Sequence, residues 1–124
     1  MRTNKHFPIF AILAISAILI SACSSSEGGG DRTQMCKNRF DAADRDFKAG
    51  HYSRVKGPLE EILNLCVGTG YMEQTQFLLA ESYFNLEEWL EARGEYGSFA
   101  NNFPSSPFVE TAEFRKAVSA FNIE

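Results

Sequence analysis

The segment "FLLAESYF" (residues 77–84) decides the fold, because its spacing of apolar residues occurs three times in the chain. Phe77, Ala80 and Phe84 lie at positions i, i+3 and i+7 of this frame. The same frame occurs in "FDAADRDF" (residues 40–47) and in "FRKAVSAF" (residues 114–121), so that neighbouring copies are 37 residues apart. This spacing falls on one side of an α-helix and fits no strand period. The sequence therefore predicts three equivalent helices.

A second amphipathic helix is predicted after each of the first two frames, in residues 58–65 and 89–100. Proline lacks an amide donor and clashes with the preceding turn, so we expect the first of these helices to begin at Pro58 or to kink there. Ser106 is the expected N-cap of the third frame's helix, with Pro107 at its first position. Each complete unit is therefore a helix–turn–helix of 37 residues.

A period near 34 residues built from paired helices resembles the tetratricopeptide repeat. The second unit carries the family's characteristic positions at Leu79, Ala80, Tyr83, Ala92, Tyr96 and Pro104. It departs from the family at Gln76, which occupies the tryptophan position. The resemblance implies an all-α, tetratricopeptide-like α-solenoid of about two and a half repeats, at about residues 36–72, 73–109 and, in part, 110–124. The three frame alanines then serve packing between helices.

The first 22 residues have the order of a signal peptide, with basic Arg2 and Lys5 followed by an apolar run that is too short to span a bilayer. The motif "ISAC" at residues 20–23 resembles the bacterial lipoprotein lipobox, which implies cleavage before Cys23 and lipidation of that cysteine. Ser24, in place of aspartate, favours the outer membrane. Residues 23–34 are rich in serine, glycine and charge and are predicted to be a flexible linker, so that the folded domain covers residues 35–124.

A more specific resemblance extends over residues 72–121. The segments "AESYF", "ARGEYGSF" and "FPSSPFVETAEFRKAVSAF" resemble the BamD family, the tetratricopeptide lipoproteins of the β-barrel assembly machinery. This implies a scaffold on the periplasmic face of the outer membrane, anchored through Cys23, that binds assembly subunits and unfolded outer-membrane proteins. The chain reaches only into the third of the family's five repeats. Another periplasmic tetratricopeptide adaptor lipoprotein, acting in cell-envelope or division complexes, remains the alternative.

The six frame phenylalanines are the candidate binding residues. They are either core residues or the lining of a concave groove for an extended peptide, and the sequence leaves both readings open. If helices of equal spacing stack in register, the rings form two columns along the groove. The six candidates are Phe77, Phe84, Phe114, Phe40, Phe47 and Phe121.

Two cysteines remain once Cys23 carries lipid. Cys36 and Cys66 fall at the start of the first predicted helix and at the end of its antiparallel partner, so both lie at the open end of one hairpin. In an oxidising compartment this placement favours a Cys36–Cys66 disulfide. Two free thiols remain the alternative, because side-chain direction cannot be read from sequence.

Several function classes have no support in the sequence. A formal net charge of −4 and the lack of a basic, aromatic-interleaved run argue against nucleic acid. His51, the one histidine after the signal peptide, falls in a predicted turn, and no nucleophile, phosphate-loop or metal motif is present. We therefore expect no enzyme activity, no cofactor and no metal. The carboxylates of residues 87–95 are expected to form a solvated helix face.

Charge is nevertheless uneven along the chain. Residues 31–56 carry seven basic and four acidic side chains, whereas residues 57–92 carry seven acidic and no basic ones. This asymmetry indicates either two solvated faces of opposite sign or a bipolar docking surface for protein partners.

Overall fold

The computed structural model describes residues 27–123, and over that range the chain is all-helical, as the sequence predicts. The predicted signal peptide (residues 1–22) and the lipidation at Cys23 lie outside the described residues. Within them no strand occurs, and five helices follow one another along the chain. They are α1 (Glu27–Lys48), α2 (Tyr52–Leu65), α3 (Met72–Asn85), α4 (Trp89–Asn102) and α5 (Val109–Asn122).

The 37-residue period reappears in the helix bounds. Helix α4 begins and ends 37 residues after α2, and α5 begins and ends 37 residues after α3. The three frames lie in α1, α3 and α5, which are therefore the equivalent helices that the frame predicts. Each helix packs against the next one in the chain, and α3 also contacts both α1 and α5. This arrangement is compatible with a solenoid of helical repeats.

Two apolar clusters form the core, one for each helical hairpin. In the first, Ala43 of α1 packs with Val55 and Leu59 of α2. In the second, Ala80 of α3 packs with Ala92 and Tyr96 of α4. Because Ala43 and Ala80 are only 3% and 0% exposed, the alanines of the first two frames serve close approach between helices, as expected.

The turn inside each hairpin uses the same backbone conformation. Gly50, between α1 and α2, has φ of 80°, and Glu87, 37 residues later between α3 and α4, has φ of 59°. Both lie in the left-handed region, which glycine adopts without steric cost and other residues adopt at a cost. The second repeat therefore reproduces the turn of the first without its glycine.

The predicted linker is shorter than expected, because residues 27–34 are helical and belong to α1. Tertiary contacts made by the guanidinium of Arg32 stabilise the helix over this glycine-rich segment. Its Nη2 donates hydrogen bonds to the carbonyl oxygens of Leu65 (2.9 Å) and Val67 (3.0 Å), at the C-terminal end of α2. Side chains 29–35 are otherwise exposed. The prediction of a flexible linker for residues 27–34 is therefore wrong.

Two predicted helix starts also differ from the structure. Helix α2 begins at Tyr52 and runs through Pro58, because the amides of Arg54 and Val55 both donate to the carbonyl oxygen of His51 and close the first turn upstream of the proline. Helix α5 begins at Val109 and not at Pro107. Ser106 does act as a cap, but for the turn that comes just before α5. There its hydroxyl oxygen accepts a hydrogen bond from the amide of Phe108 at 3.1 Å.

A disulfide closes the open end of the first hairpin. It joins Cys36 of α1 to Cys66 at the C-terminal end of α2, the pair that their placement at the helix ends favours. The two Cα atoms are 5.8 Å apart, and both cysteines are fully buried. The bond thereby connects residues separated by 30 positions in the sequence.

Candidate functional site

A concave pocket lies between α1 and α3, and we call it the α1–α3 pocket. Its volume is about 400 Å³, which is within the range of pockets that bind small ligands or single side chains. The lining combines aromatic and aliphatic side chains with a few polar ones. The lining residues are Phe40, Asp44, Lys48, Gln74, Phe77, Leu78 and Phe108.

The aromatic walls of this pocket are built by a contact that the repeat reproduces. The ring of Phe77 stacks on Phe108, the N-cap residue of α5, with centroids 4.8 Å apart. Thirty-seven residues earlier, Phe40 packs on Tyr71, the N-cap residue of α3, with centroids 5.5 Å apart. The first phenylalanine of the first two frames therefore contacts the residue that opens the next equivalent helix.

The rim of the pocket carries the charges. Lys48 donates from Nζ to Oδ2 of Asp44 at 2.5 Å, one helical turn earlier in α1. The lysine side chain is 72% exposed, whereas that of Asp44 is 25% exposed. The pocket therefore has an aromatic interior and, at its edge, a cation whose present partner is a surface contact of little energetic value.

The last phenylalanine of the first two frames has a different role. Phe47 packs edge-on to Tyr52 at 5.2 Å, and Phe84 packs edge-on to Trp89 at 5.3 Å, so both rings contact the first residue of the second helix in their own hairpin. Phe84 also packs against the second core cluster. Neither Phe47 nor Phe84 lines the α1–α3 pocket.

The third frame is the most exposed of the three. Phe114 is 68% exposed and Phe121 is 80% exposed, and Ala117 between them is exposed as well. Its two rings therefore lie on the surface of α5, and they do not line the α1–α3 pocket. Of the six candidate residues, the pocket brings only Phe40 and Phe77 together.

A buried polar network joins α3, α4 and α5. Glu81 of α3 accepts a hydrogen bond from the hydroxyl of Tyr96 at 2.6 Å, and its other oxygen lies 2.6 Å from Nη1 of Arg115. Burial, reinforced by the neighbouring Glu81 carboxylate, raises the pKa of Tyr96 above its usual range. The Arg115 guanidinium also lies over the ring of Phe84, 4.9 Å from its centroid. This network fixes α5 in place.

Sequence reasoning missed Glu81, although a signal for it was present. Glu81 follows Phe77 by four residues and precedes Phe84 by three, so a helix places all three on one side. A carboxylate on an apolar side of a helix requires a buried partner. Arg115, 34 residues later, supplies it.

The acidic face of α4 is less solvated than expected. Glu88 pairs with Lys56 of α2 at 2.6 Å. Burial raises the pKa of Glu95, with a smaller contribution from the neighbouring Glu60 carboxylate, while a hydrogen bond from Gln76 opposes the shift. Burial and the Glu60 carboxylate likewise raise the pKa of Tyr83, to about 12. The expectation of a solvated face is therefore wrong for Glu95, whereas Glu87 and Glu91 are exposed and the Glu88 side chain is 38% exposed.

Some of the unevenly distributed charged side chains form ion pairs within the chain. Arg39 of α1 lies 2.7 Å from Glu61 of α2, and the Lys56–Glu88 pair connects α2 to the N-cap residue of α4. His51 is exposed and lies 3.5 Å from Asp46. In residues 27–123, no three histidine, cysteine or acidic side chains lie close enough together to hold a metal ion. No helix in that range has the length and apolarity to cross a membrane.

Comparison with known proteins adds no family to these observations. The chain matches no known protein-family model, and a search of curated proteins finds no significant match.

Proposed function

We propose that this chain is a lipid-anchored scaffold on the periplasmic face of the outer membrane, and that it binds unfolded barrel proteins or assembly subunits during β-barrel assembly. The observation that carries the proposal is the α1–α3 pocket, with Phe40, Phe77 and Phe108 around it and Lys48 at its rim. In this view the helix pairs are tetratricopeptide-like repeats, and their function is recognition of protein segments.

The anchor rests on the sequence of the first 24 residues. A basic start, an apolar run and the motif "ISAC" together support lipidation of Cys23, and Ser24 supports the outer membrane as the destination. Cys23 precedes the first residue of α1 by only four positions. The pocket would therefore operate close to the bilayer surface, where barrel proteins arrive unfolded.

The chemistry of the pocket suits a chain that ends in an aromatic residue. Aromatic rings in the lining favour an aromatic guest through offset or edge-on packing. The Lys48 ammonium, which is 72% exposed and pairs with Asp44 one turn away, could donate hydrogen bonds to the terminal carboxylate of the same guest. A pocket of about 400 Å³ holds one such residue but not an extended strand. The proposed ligand is therefore a C-terminal aromatic residue of an unfolded barrel strand.

Peptide binding to the full chain tests this proposal. A fluorescent peptide with the sequence of a C-terminal barrel strand is titrated by anisotropy, beside one that lacks the terminal phenylalanine. Burial of one phenylalanine side chain stabilises by about 1.5–3 kcal/mol, so removing it should weaken binding by about tenfold or more. Amidation of the peptide's C-terminus should weaken binding by a smaller factor, because it removes the carboxylate that Lys48 would bind. In the Lys48→Gln variant, the amidated and free peptides should bind equally well.

Two variants locate the binding site. Phe108→Ser changes a ring that is 40% exposed and lines the pocket, and it should weaken binding. Phe121→Ser changes a more exposed ring outside the pocket and should leave binding unchanged, which makes it the matched control. Circular dichroism checks that both variants fold. Equal affinity for the peptides with and without the terminal aromatic residue would refute the proposed ligand. That result would favour the alternative function, an adaptor in cell-envelope complexes.

A further inference from the structure

Helix α1 begins with a segment that is a poor helix former by itself. Its first four residues are "EGGG", and glycine is among the least favourable residues in a helix. Residues 29–35 are exposed, so the segment gains little from apolar burial. Isolated helices of this length are marginal in water even when they are built from good helix formers. Contacts with another element must therefore hold residues 27–35 in the helix.

Two contacts with the C-terminal end of α2 hold this segment, and we call them together the clasp. The first is Arg32, whose Nη2 donates hydrogen bonds to the carbonyl oxygens of Leu65 and Val67. The second is the bond between Cys36 and Cys66. Arg32 and Cys36 are one helical turn apart on the same side of α1, and Cys66 lies between the two carbonyl groups that Arg32 binds. The guanidinium therefore bridges the backbone on both sides of one half of the disulfide.

The disulfide is closed to solvent, although it follows an exposed segment of α1. Both cysteines are 0% exposed and belong to the first core cluster. Thiol–disulfide exchange requires the attacking thiolate to reach a sulfur atom directly, so the bond reacts only after the protein opens around it. A terminal segment with few buried contacts opens at a lower cost than the whole domain. The hydrogen bonds of Arg32 oppose this opening, because they hold the turn that precedes Cys36 against α2.

The geometry points to a redox-controlled tether: Arg32 protects the Cys36–Cys66 bond from dithiols, and reduction of the bond releases residues 27–35 from the helix. In the reduction, a thiolate of the dithiol attacks one sulfur of the bond and forms a mixed disulfide. The other protein sulfur leaves as a thiolate and takes up a proton. The second thiol of the reagent then displaces the first protein sulfur, which is protonated in turn. Two electrons and two protons pass to the protein, and the dithiol becomes a disulfide.

The release changes the reach of the domain from its anchor, a consequence that rests on the proposed lipidation of Cys23. As a helix, residues 27–35 span about 14 Å, whereas the same residues fully extended reach about 30 Å. Reduction therefore allows the α1–α3 pocket to operate further from the bilayer. The redox step depends only on residues that the structure describes, so its test does not require the anchor.

The rate at which dithiothreitol reduces the native full chain tests the protection. Samples are quenched by alkylation, and mass spectrometry follows the modification of Cys36 and Cys66. We expect reduction to be about a hundredfold slower than in the urea-unfolded chain. Arg32→Ala should speed the reaction about tenfold, because it removes charge-assisted hydrogen bonds to two carbonyl oxygens.

Arg39→Ala is the matched control for this rate. It removes the exposed ion pair with Glu61, another contact between α1 and α2, and should change the rate by no more than about twofold. Equal acceleration by the two variants would show that Arg32 acts only through general stability. That result, or a wild-type rate equal to that of the unfolded chain, would overturn the protection.

Hydrogen exchange followed by mass spectrometry tests the release. The amides of residues 31–35 donate within α1, and they should exchange about tenfold faster after reduction, while those of α4 remain protected. Cys36→Ser/Cys66→Ser should reproduce this pattern without reductant. Unchanged protection of residues 31–35 would show that Arg32 alone holds the segment, and loss of protection throughout the chain would show global unfolding; either result overturns the tether. An unlipidated Cys23 or a pocket that binds no peptide would refute the proposed function and leave both measurements unchanged.

Discussion

Glu81 and Arg115 connect two helices that are not neighbours in sequence, with Oε2 of the glutamate 2.6 Å from Nη1 of the arginine. The glutamate side chain is 11% exposed and the arginine 32% exposed, so solvent screens the pair only in part. The same carboxylate accepts the buried hydroxyl of Tyr96. One acidic residue of α3 therefore satisfies a group on α4 and a group on α5, which makes the second and third repeat units interdependent.

Replacing Glu81 with glutamine should destabilise the fold by about 1.5–3 kcal/mol, because the Arg115 charge loses its partner while it remains partly buried. Urea denaturation followed by circular dichroism measures the change. Glu113→Gln is the matched control, since Glu113 pairs with Lys116 on the surface of α5 and should cost no more than about 0.5 kcal/mol. Equal effects of the two variants would refute the structural role of Glu81.

Glu87→Gly should stabilise the chain by about 0.5–1 kcal/mol. Glu87 has a positive φ, which is costly for a residue with a Cβ, and Gly50 at the equivalent turn shows that glycine fits there. The reverse change, Gly50→Ala, should destabilise by about 1 kcal/mol, although nothing would lie within 4 Å of the new Cβ. Thermal unfolding of both variants measures these shifts, and a loss of stability in Glu87→Gly would contradict the strain argument.

Glu95→Gln should raise stability at neutral pH, by about 0.5 kcal/mol. Burial raises the pKa of Glu95 above 4.5 in the folded state, so folding favours its neutral form. The resulting stabilisation is complete below the unfolded-state pKa and is lost as pH rises through the folded-state pKa. The advantage of the glutamine variant should therefore increase between pH 4 and pH 7. Glu91→Gln, on an exposed position one turn earlier, should show no such trend.

Reduction of the Cys36–Cys66 disulfide should cost roughly 3–4 kcal/mol, the value that the chain-entropy model gives for a loop of about 30 residues. Denaturation with and without reductant, in the wild type and in Cys36→Ala/Cys66→Ala, measures this cost. The double variant should be insensitive to reductant. Recovery of two alkylatable thiols at these positions from unreduced, denatured protein would contradict the bond.

The proposed lipidation of Cys23 predicts a native protein that begins at that residue and carries acyl mass. If a lipoprotein signal peptidase cleaves before this cysteine, Cys23→Ser should leave the precursor unprocessed. Mass spectrometry of protein purified from membranes measures both outcomes. An intact Met1 terminus in the wild type, or Cys23 without acyl mass, would refute the anchor.

The repeat is the part of the fold that could be predicted from the sequence. The frame residues are apolar at fixed helical spacing, and this spacing alone identifies α1, α3 and α5 and the direction in which Ala43 and Ala80 are buried. The buried positions of α2 and α4 follow the same period. Local pattern is sufficient here because each helix packs mainly on its neighbours in the chain.

The differences arise where distant contacts act on a weak local signal. Residues 27–34 have the composition of a linker, but Arg32 binds carbonyl oxygens more than 30 residues away and the segment is helical. The frame could not show which rings line a pocket, because Phe77 and Phe84 belong to the same frame and lie on the same side of α3. Their ring partners differ: Phe77 stacks on Phe108, which precedes α5, and Phe84 packs on Trp89, the first residue of α4. Burial by another element cannot be read from a single helix.

The Cys36–Cys66 bond also determines how the domain responds to mechanical force. If the chain is held to the bilayer at Cys23, tension enters the domain through the first part of α1 and reaches Cys36 before the rest of the hairpin. The covalent bond then passes the tension directly to Cys66, so residues 37–65 carry no load. The α1–α2 hairpin is therefore not unzipped from its anchored end, and beyond the bond the pull passes into the loop that leads to α3.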